Sequence, residues 1–429
     1  GRVVVEKTLG DTKTNRVQHK HYNMSAQVRL RLLPRARCMF DEPVQVKVAR
    51  LRSGHVVTMR ARSTDEKGVV FSSSASYKAD ESGEIDLKRD PSLSGTYIGI
   101  EPMGLQWSMR PDTLHKRFIK TNSINPHMVK FSVHDKEEGK GRMLAEATNE
   151  RLLLGEGVNL APRERGEYTR CEGPFPAVLD LYTFSRGVSE ERASLLASHR
   201  FMVLTVALYS HDDMVKNIKE VHLDYVKEAI EFLKKQDKVG SKVGVISISK
   251  SADIALSMAS YLPDVDVTVW INGCSANTWL PFYYKKSLIL PPLMIDISKV
   301  ILTESGAVNG KYAIHNPLAE ENKATLVPIE QAKGCFLFMA SEDDLNWDSK
   351  AYMEQVVERL QRHGKDNFES VCYPGAGHYL EPPYGPHCPS SFHAVPRSHA
   401  EAEVHMWKKI QEFLRTHLSC DDTPTKAKL

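Results

Sequence analysis

Six apolar runs of strand length divide the C-terminal part of the chain: Ala177–Leu181, Phe201–Leu208, Val243–Ile248, Val265–Ile271, Cys335–Ala340 and Phe368–Tyr373. A strand that is apolar at nearly every position has no face to offer water. Such strands belong to a sheet covered on both sides, and the charged, periodic stretches between them supply the covers. Leu223, Val226, Ile230 and Leu233 recur on one helical face, as do Tyr352, Val356 and Leu360. A last helix, from about His399 to His417, is expected to bury Val404, Trp407, Ile410 and Leu414. The alternation predicts a mostly parallel sheet with helices on both faces.

The N-terminal part has a different texture. Short alternating runs such as Val44 to Val48 and Val69 to Tyr77 are punctuated by the turn sequences DEKG and DESGE, with no helix-period stretch of any length. Regularly spaced strands of this kind imply an antiparallel β-sandwich. A Gly-, Pro- and charge-rich link, GEGVNLAPRERGEYTRCEGPFP, separates the two textures. The expected organisation is a flexible extension over 1–25, a sandwich over 26–154, a linker over 155–176, a catalytic domain over 177–420 and a tail over 421–429.

Composition excludes several functions. Lys and Arg number 57 against 54 Asp and Glu, a net charge of +3, so the chain has no overall field to attract nucleic acid. No apolar run approaches the ~20 residues of a membrane span. The seven cysteines are scattered without CxxC spacing, which suits a reducing compartment. The last residues, Ala427-Lys428-Leu429, are a variant of the Ser-Lys-Leu peroxisomal address. They predict a peroxisomal import receptor as partner and a peroxisomal location, with the cytosol as the alternative. Oligomeric state has no sequence signal.

The third apolar run ends in KVGVISISKSADIALSMASYL, a strand running straight into a helix. In α/β-hydrolases this junction is a tight turn, usually G-x-S-x-G, that lifts a nucleophile off the sheet. The small flanking residues let strand and helix approach. Here Ser247 and Ser251 stand in the glycine places around Ser249. Serines are common at strand ends and helix caps, so the pattern alone decides little. Its order with later residues decides more. Asp343 and Asp344 follow the strand GCFLFMA, and His378 lies in the loop GAGHYLEPP after the strand FESVCYP. Ser, acid and His thus appear in the order the fold requires, each at a strand's carboxyl end. Serine needs a base to take its proton, and an acid must hold the imidazole. The oxyanion needs two backbone donors: Lys250, after the nucleophile, and one from Tyr182 or Thr183 in the loop after the first core strand.

Other candidates carry less. Cys274 and Cys335 read as inert core thiols. His387, Cys388 and His393 match no common zinc spacing. Asp253, Asp212 and Asp213 read as surface or capping residues. Neither a metal nor a bound cofactor is expected.

Longer phrases are more specific. GPFPAVLDL, HLDYVKEAIEFL, WINGCSAN, PIEQAKGCFLF, EDDLNW, YPGAGHYLEPPY and the N-terminal GTYIGIEPMGLQWSM resemble the type I acyl-CoA thioesterases and the related bile acid-CoA:amino acid N-acyltransferases. The resemblance implies a β-sandwich on an α/β-hydrolase domain, with Ser249 as nucleophile, Asp344 as acid and His378 as base. The implied reaction is hydrolysis of a fatty acyl-CoA thioester through an acyl-enzyme, coenzyme A being part of the substrate. Acyl transfer to glycine or taurine is the alternative, and a catalytically weak acyl-CoA-binding member is a third. Departures from the family lie at Ser247, Ser251 and the loop TFSRGV after the first core strand.

Overall fold

The computed structural model describes residues 27–113, 116–135, 141–158, 174–182, 190–208, 218–302, 308–387 and 395–419. The expected N-terminal extension, most of the linker, Thr183, Asp212, Asp213, Cys388, His393 and the Ala427-Lys428-Leu429 ending lie outside the described residues.

The N-terminal part forms two sheets. Arg29–Leu33, Gln45–Ala49 and Ile85–Asp86 make the smaller one. The larger runs in the order Arg37–Met39, Met143–Leu152, His127–Asp135, Val56–Thr64, Val70–Lys78 and Ser94–Gly95, and Arg110–Pro111 also pairs with Val70–Lys78. Period-two alternation builds the core: Val57, Met59 and Ala61 point inward while Arg60 and Arg62 face water. The turns form as their sequences suggest. In DEKG, the Asp65 carboxylate accepts from the Lys67 and Val69 N–H groups, and Gly68 takes φ +80°. One pairing departs from the antiparallel expectation, since Arg37–Met39 runs parallel to Glu150–Leu152. The chain reaches that edge by crossing from the smaller sheet, so no hairpin sets its direction.

The C-terminal part holds a six-stranded sheet in the order Met202–Val206, Phe175–Leu181, Val239–Ile248, Val267–Ile271, Cys335–Ser341 and Phe368–Tyr373, parallel throughout. All six apolar runs of the sequence are in it. Side-chain alternation divides the core in two. Val178, Ile246, Ile248, Val269 and Met339 pack with helices Glu190–Ser198 and Pro396–Leu418, and this core continues into the sandwich. Leu179, Val245, Trp270 and Phe338 pack with helices Leu223–Lys234, Lys250–Tyr261 and Ser349–Arg362. On the last helix Trp407, Ile410 and Leu414 are buried, but Val404 is 40% exposed. The helix rests on the sheet by a stripe too narrow to include it.

Strand order reverses at Phe175–Leu181, which has the second strand on one side and Val239–Ile248 on the other. The helix after Phe175–Leu181, Glu190–Ser198, packs on one face of the sheet and the helix after Val239–Ile248, Lys250–Tyr261, on the other, and such a switch point is where a fold of this kind has its crevice.

Candidate active site

The junction at Ile248 is a turn under strain. Ser249 sits at φ 61°, ψ −132°, a conformation that costs a residue with a Cβ of order 1–3 kcal/mol. Its N–H donates to Ile271 O of the adjacent strand at 2.9 Å, and helix Lys250–Tyr261 starts at the next residue. The Ser249 hydroxyl makes no cap bond to this helix and meets the His378 ring instead. The two flanking serines fit because their hydroxyls turn onto backbone. Ser247 Oγ donates to Val269 O at 2.9 Å. Ser251 Oγ shares its hydrogen between Leu181 O at 2.9 Å and Ile248 O at 2.8 Å, tying the turn to the end of the first core strand. Close approach is instead secured by Gly273, where a Cβ would lie 2.5 Å from Ala252 Cβ on the helix.

His378 reaches this serine from the loop after the last strand. Its Nε2 is 2.8 Å from Ser249 Oγ and its Nδ1 is 2.7 Å from Asp344 Oδ2. Asp344, from the loop after Cys335–Ser341, is held by N–H groups of Asn346 at 2.7 Å and Trp347 at 3.3 Å on Oδ1, and by the Ser349 hydroxyl on Oδ2. Of the two adjacent aspartates, only Asp344 turns its carboxylate to the imidazole; the Asp343 N–H donates to Ala376 O. Ser249, Asp344 and His378 are all buried. With Nδ1–H donated to Asp344, Nε2 carries the lone pair that can accept the serine proton.

Of the expected oxyanion donors, Lys250 and Tyr182 are among the described residues. The Lys250 N–H opens the helix, where first-turn N–H groups lack intrahelical partners. Tyr182 follows the first core strand directly, and Thr183 lies outside the described residues. The Tyr182 ring does not obstruct the turn: it is buried, and its hydroxyl donates to Glu381 Oε1. The Lys250 side chain is also buried, its Nζ donating to Asp253 Oδ2 at 2.9 Å and Asn277 Oδ1 at 3.2 Å. Asp253 is therefore not a surface or capping residue. It also accepts from the Thr278 N–H at 2.8 Å and hydroxyl at 2.9 Å, and burial pushes its carboxyl up.

Several supporting residues escape a reading by residue type. Asn272 donates to Ser341 Oγ at 2.9 Å and His378 O at 2.7 Å, so it fixes the base loop to two strand ends. Asn346 Nδ2 lies 3.1 Å from His378 Nε2. Their only sequence signal is that they sit inside the phrases WINGCSAN and EDDLNW. Cys274 is buried and its thiol is pushed up to about 12 by that burial, while Cys335 is half-buried. The His387 ring meets that of His399 at 5.2 Å.

A parallel sheet covered on both faces, with a strained serine turn beside its switch point, defines an α/β-hydrolase. Residues 41–162 match the acyl-CoA thioester hydrolase/BAAT N-terminal region, and residues 221–420 match the BAAT/acyl-CoA thioester hydrolase C-terminal region. The chain is 40% identical over 408 residues to Homo sapiens acyl-coenzyme A thioesterase 6, covering 90% of this chain and 96% of that protein. It is 38% identical over 416 residues to Mus musculus acyl-coenzyme A thioesterase 5, covering 93% and 99%. The Homo sapiens mitochondrial acyl-coenzyme A thioesterase 2 is 38% identical over 405 residues, covering 90% and 84%. The chain belongs to the acyl-CoA thioester hydrolase/BAAT family.

Proposed function

We propose that this protein hydrolyses acyl-CoA thioesters to free acid and coenzyme A, with Ser249 as nucleophile, His378 as base and acid, and Asp344 as the group that orients the imidazole. The observation that carries the reading is the continuous hydrogen-bonded line from Ser249 Oγ through His378 to Asp344, at 2.8 and 2.7 Å, starting from a serine in a strained turn. Family membership supports the thioester as substrate.

In the first half-reaction Ser249 Oγ attacks the thioester carbonyl carbon as its proton passes to His378 Nε2. The carbonyl oxygen takes the negative charge and is met by the Lys250 N–H and a second N–H from the Tyr182–Thr183 stretch. On collapse the carbon–sulfur bond breaks, and His378 gives its proton to the coenzyme A sulfur. Water then repeats the sequence on the acyl-serine, releasing the acid.

Ser249→Ala is expected to lower release of coenzyme A from palmitoyl-CoA by about 10⁴-fold or more with an unchanged far-UV spectrum. Turnover at the wild-type rate in that variant would remove the mechanism. The same assay with added glycine or taurine, read by mass spectrometry, separates hydrolysis from acyl transfer: hydrolysis gives free acid alone, transfer the N-acyl conjugate.

A further inference from the structure

The base loop enters a site shared by both domains. Arg117 lies in the irregular segment between Arg110–Pro111 and His127–Asp135 of the sandwich, yet its side chain extends into the hydrolase domain. Its Nη2 donates to Glu381 Oε1 at 3.2 Å and Tyr182 OH at 3.3 Å, and its Cζ lies 3.4 Å from the centroid of the Tyr379 ring. Tyr379 follows His378 in the chain, and the two rings meet edge to face at 4.9 Å. Tyr182 is the residue from which the expected oxyanion loop departs. One guanidinium thus touches the neighbours of two separate catalytic elements.

The segment is built to hold that guanidinium still. Phe118, next in the chain, is buried among Phe40, Phe71 and His127 of the sandwich core. Lys120 pairs with Glu66 at 2.5 Å, and Glu66 also accepts from the Thr121 N–H at 2.7 Å. From the opposite side the last helix grips the same loop: Gly377 N donates to His399 Nδ1 at 3.1 Å and Glu381 N to Glu403 Oε1 at 3.2 Å. Helix and Arg117 together fix the loop on both sides of His378. Other ties across the domain interface avoid the crevice. Arg397 on the last helix pairs with Glu101 of the sandwich at 2.8 Å, and Trp407 Nε1 donates to Asp41 at 2.7 Å.

We propose that Arg117 is a positioning residue of the active site, through which the N-terminal sandwich sets the placement of His378 and of Tyr182. The inference rests on the hydrolytic reading of Ser249 and His378. A planar fork that stacks on one ring while bonding a carboxylate and a phenol is a task for arginine and not for lysine.

The test compares wild type, Arg117→Ala, Arg117→Lys and Glu101→Gln in the full chain. Two quantities are measured: coenzyme A release from palmitoyl-CoA, and the rate at which a fluorophosphonate labels Ser249, which needs no acyl-CoA. Arg117→Ala is expected to lower kcat by about 10–100-fold, the size of effect a small misplacement produces, with KM changed less than about threefold. Labelling should slow in parallel, and millimolar guanidinium should restore part of both rates. Arg117→Lys keeps the charge but not the fork, so it should remain folded and still lose most of kcat. Glu101→Gln, which removes the charge from another contact of the same interface, should leave kcat unchanged. Wild-type kcat in the Lys variant, or a loss in the Ala variant that guanidinium does not relieve, overturns the proposal. A wild-type chain whose Ser249 resists the fluorophosphonate instead sinks the hydrolytic reading itself, a result separate from any difference between the variants.

Discussion

Arg151 in the sandwich and the cations around the hydrolase crevice are buried in opposite ways. In the sandwich, Arg151 is fully buried and donates to Asn149 Oδ1 at 3.0 Å and to the carbonyls of Phe40 and Glu42, with no ion pair among the described residues. His127 nearby is buried with no hydrogen-bond partner for its Nε2 among the described residues. In the hydrolase domain each buried basic group near the crevice faces a carboxylate: Lys250 with Asp253 at 2.9 Å, Arg192 with Asp180 at 2.5 Å and His378 with Asp344 at 2.7 Å. Neutral oxygens suffice to hold a cation that serves as a fixed prop. Around the crevice, side chains from different strand ends must keep fixed mutual orientations, and paired charges impose them.

The difference can be broken at its strongest point. Lys250→Met leaves the Asp253 carboxylate buried without its cation and should cost about 3–5 kcal/mol in urea unfolding. Lys250→Met combined with Asp253→Leu should recover much of that loss, because the buried charge goes with its partner. Arg151→Met strands only neutral acceptors and should cost about 1–3 kcal/mol. Equal losses for the two single variants would erase the distinction between the two cations.

Acid sharpens the comparison on the sandwich side. Burial, aided by Arg151, holds His127 at about 3 against an ordinary 6.5. Between these values the unfolded chain binds a proton that the native sandwich refuses, so stability is lost as pH falls from about 6.5 toward 3. His127→Phe should therefore lose less thermal stability than wild type between pH 7 and pH 5. Parallel losses in the two proteins would show that His127 is not responsible.

The smallest effect is expected where the hydrolase domain behaves like the sandwich. Ser251 bonds only backbone: its hydroxyl donates to Leu181 O and Ile248 O and accepts from the Ile248 N–H at 3.1 Å. Ser251→Gly should cost only about 0.5–1.5 kcal/mol in the same unfolding measurement, and a loss near that of Lys250→Met would place Ser251 among the paired groups.

Legibility in the sequence follows the same physical division. The six core strands show as apolar runs because burial on both faces leaves no polar positions, and the Ser249 turn shows because strand, small residues and helix are contiguous. His378 shows by its place after the last strand. Position alone does not separate Asp343 from Asp344, since both follow the same strand; the family phrase EDDLNW points to Asp344, and in the structure the Asn346 and Trp347 N–H groups and His378 surround its carboxylate. Asp253 misleads because a charged residue inside a helix suggests water, whereas Thr278, 25 residues later, and Lys250 enclose it. Val404 misleads in the other direction, an apolar residue just outside the buried stripe.

The sequence by itself determined the two textures of the chain, the parallel core and the serine turn, because each is a matter of periodicity and of neighbours one to four residues apart. The burial of Lys250 with Asp253, and the reach of Arg117 to Glu381 across 264 positions of sequence, came from the tertiary structure alone. Such contacts exist only after loops have closed and two domains have docked, and no local pattern encodes a partner that distant.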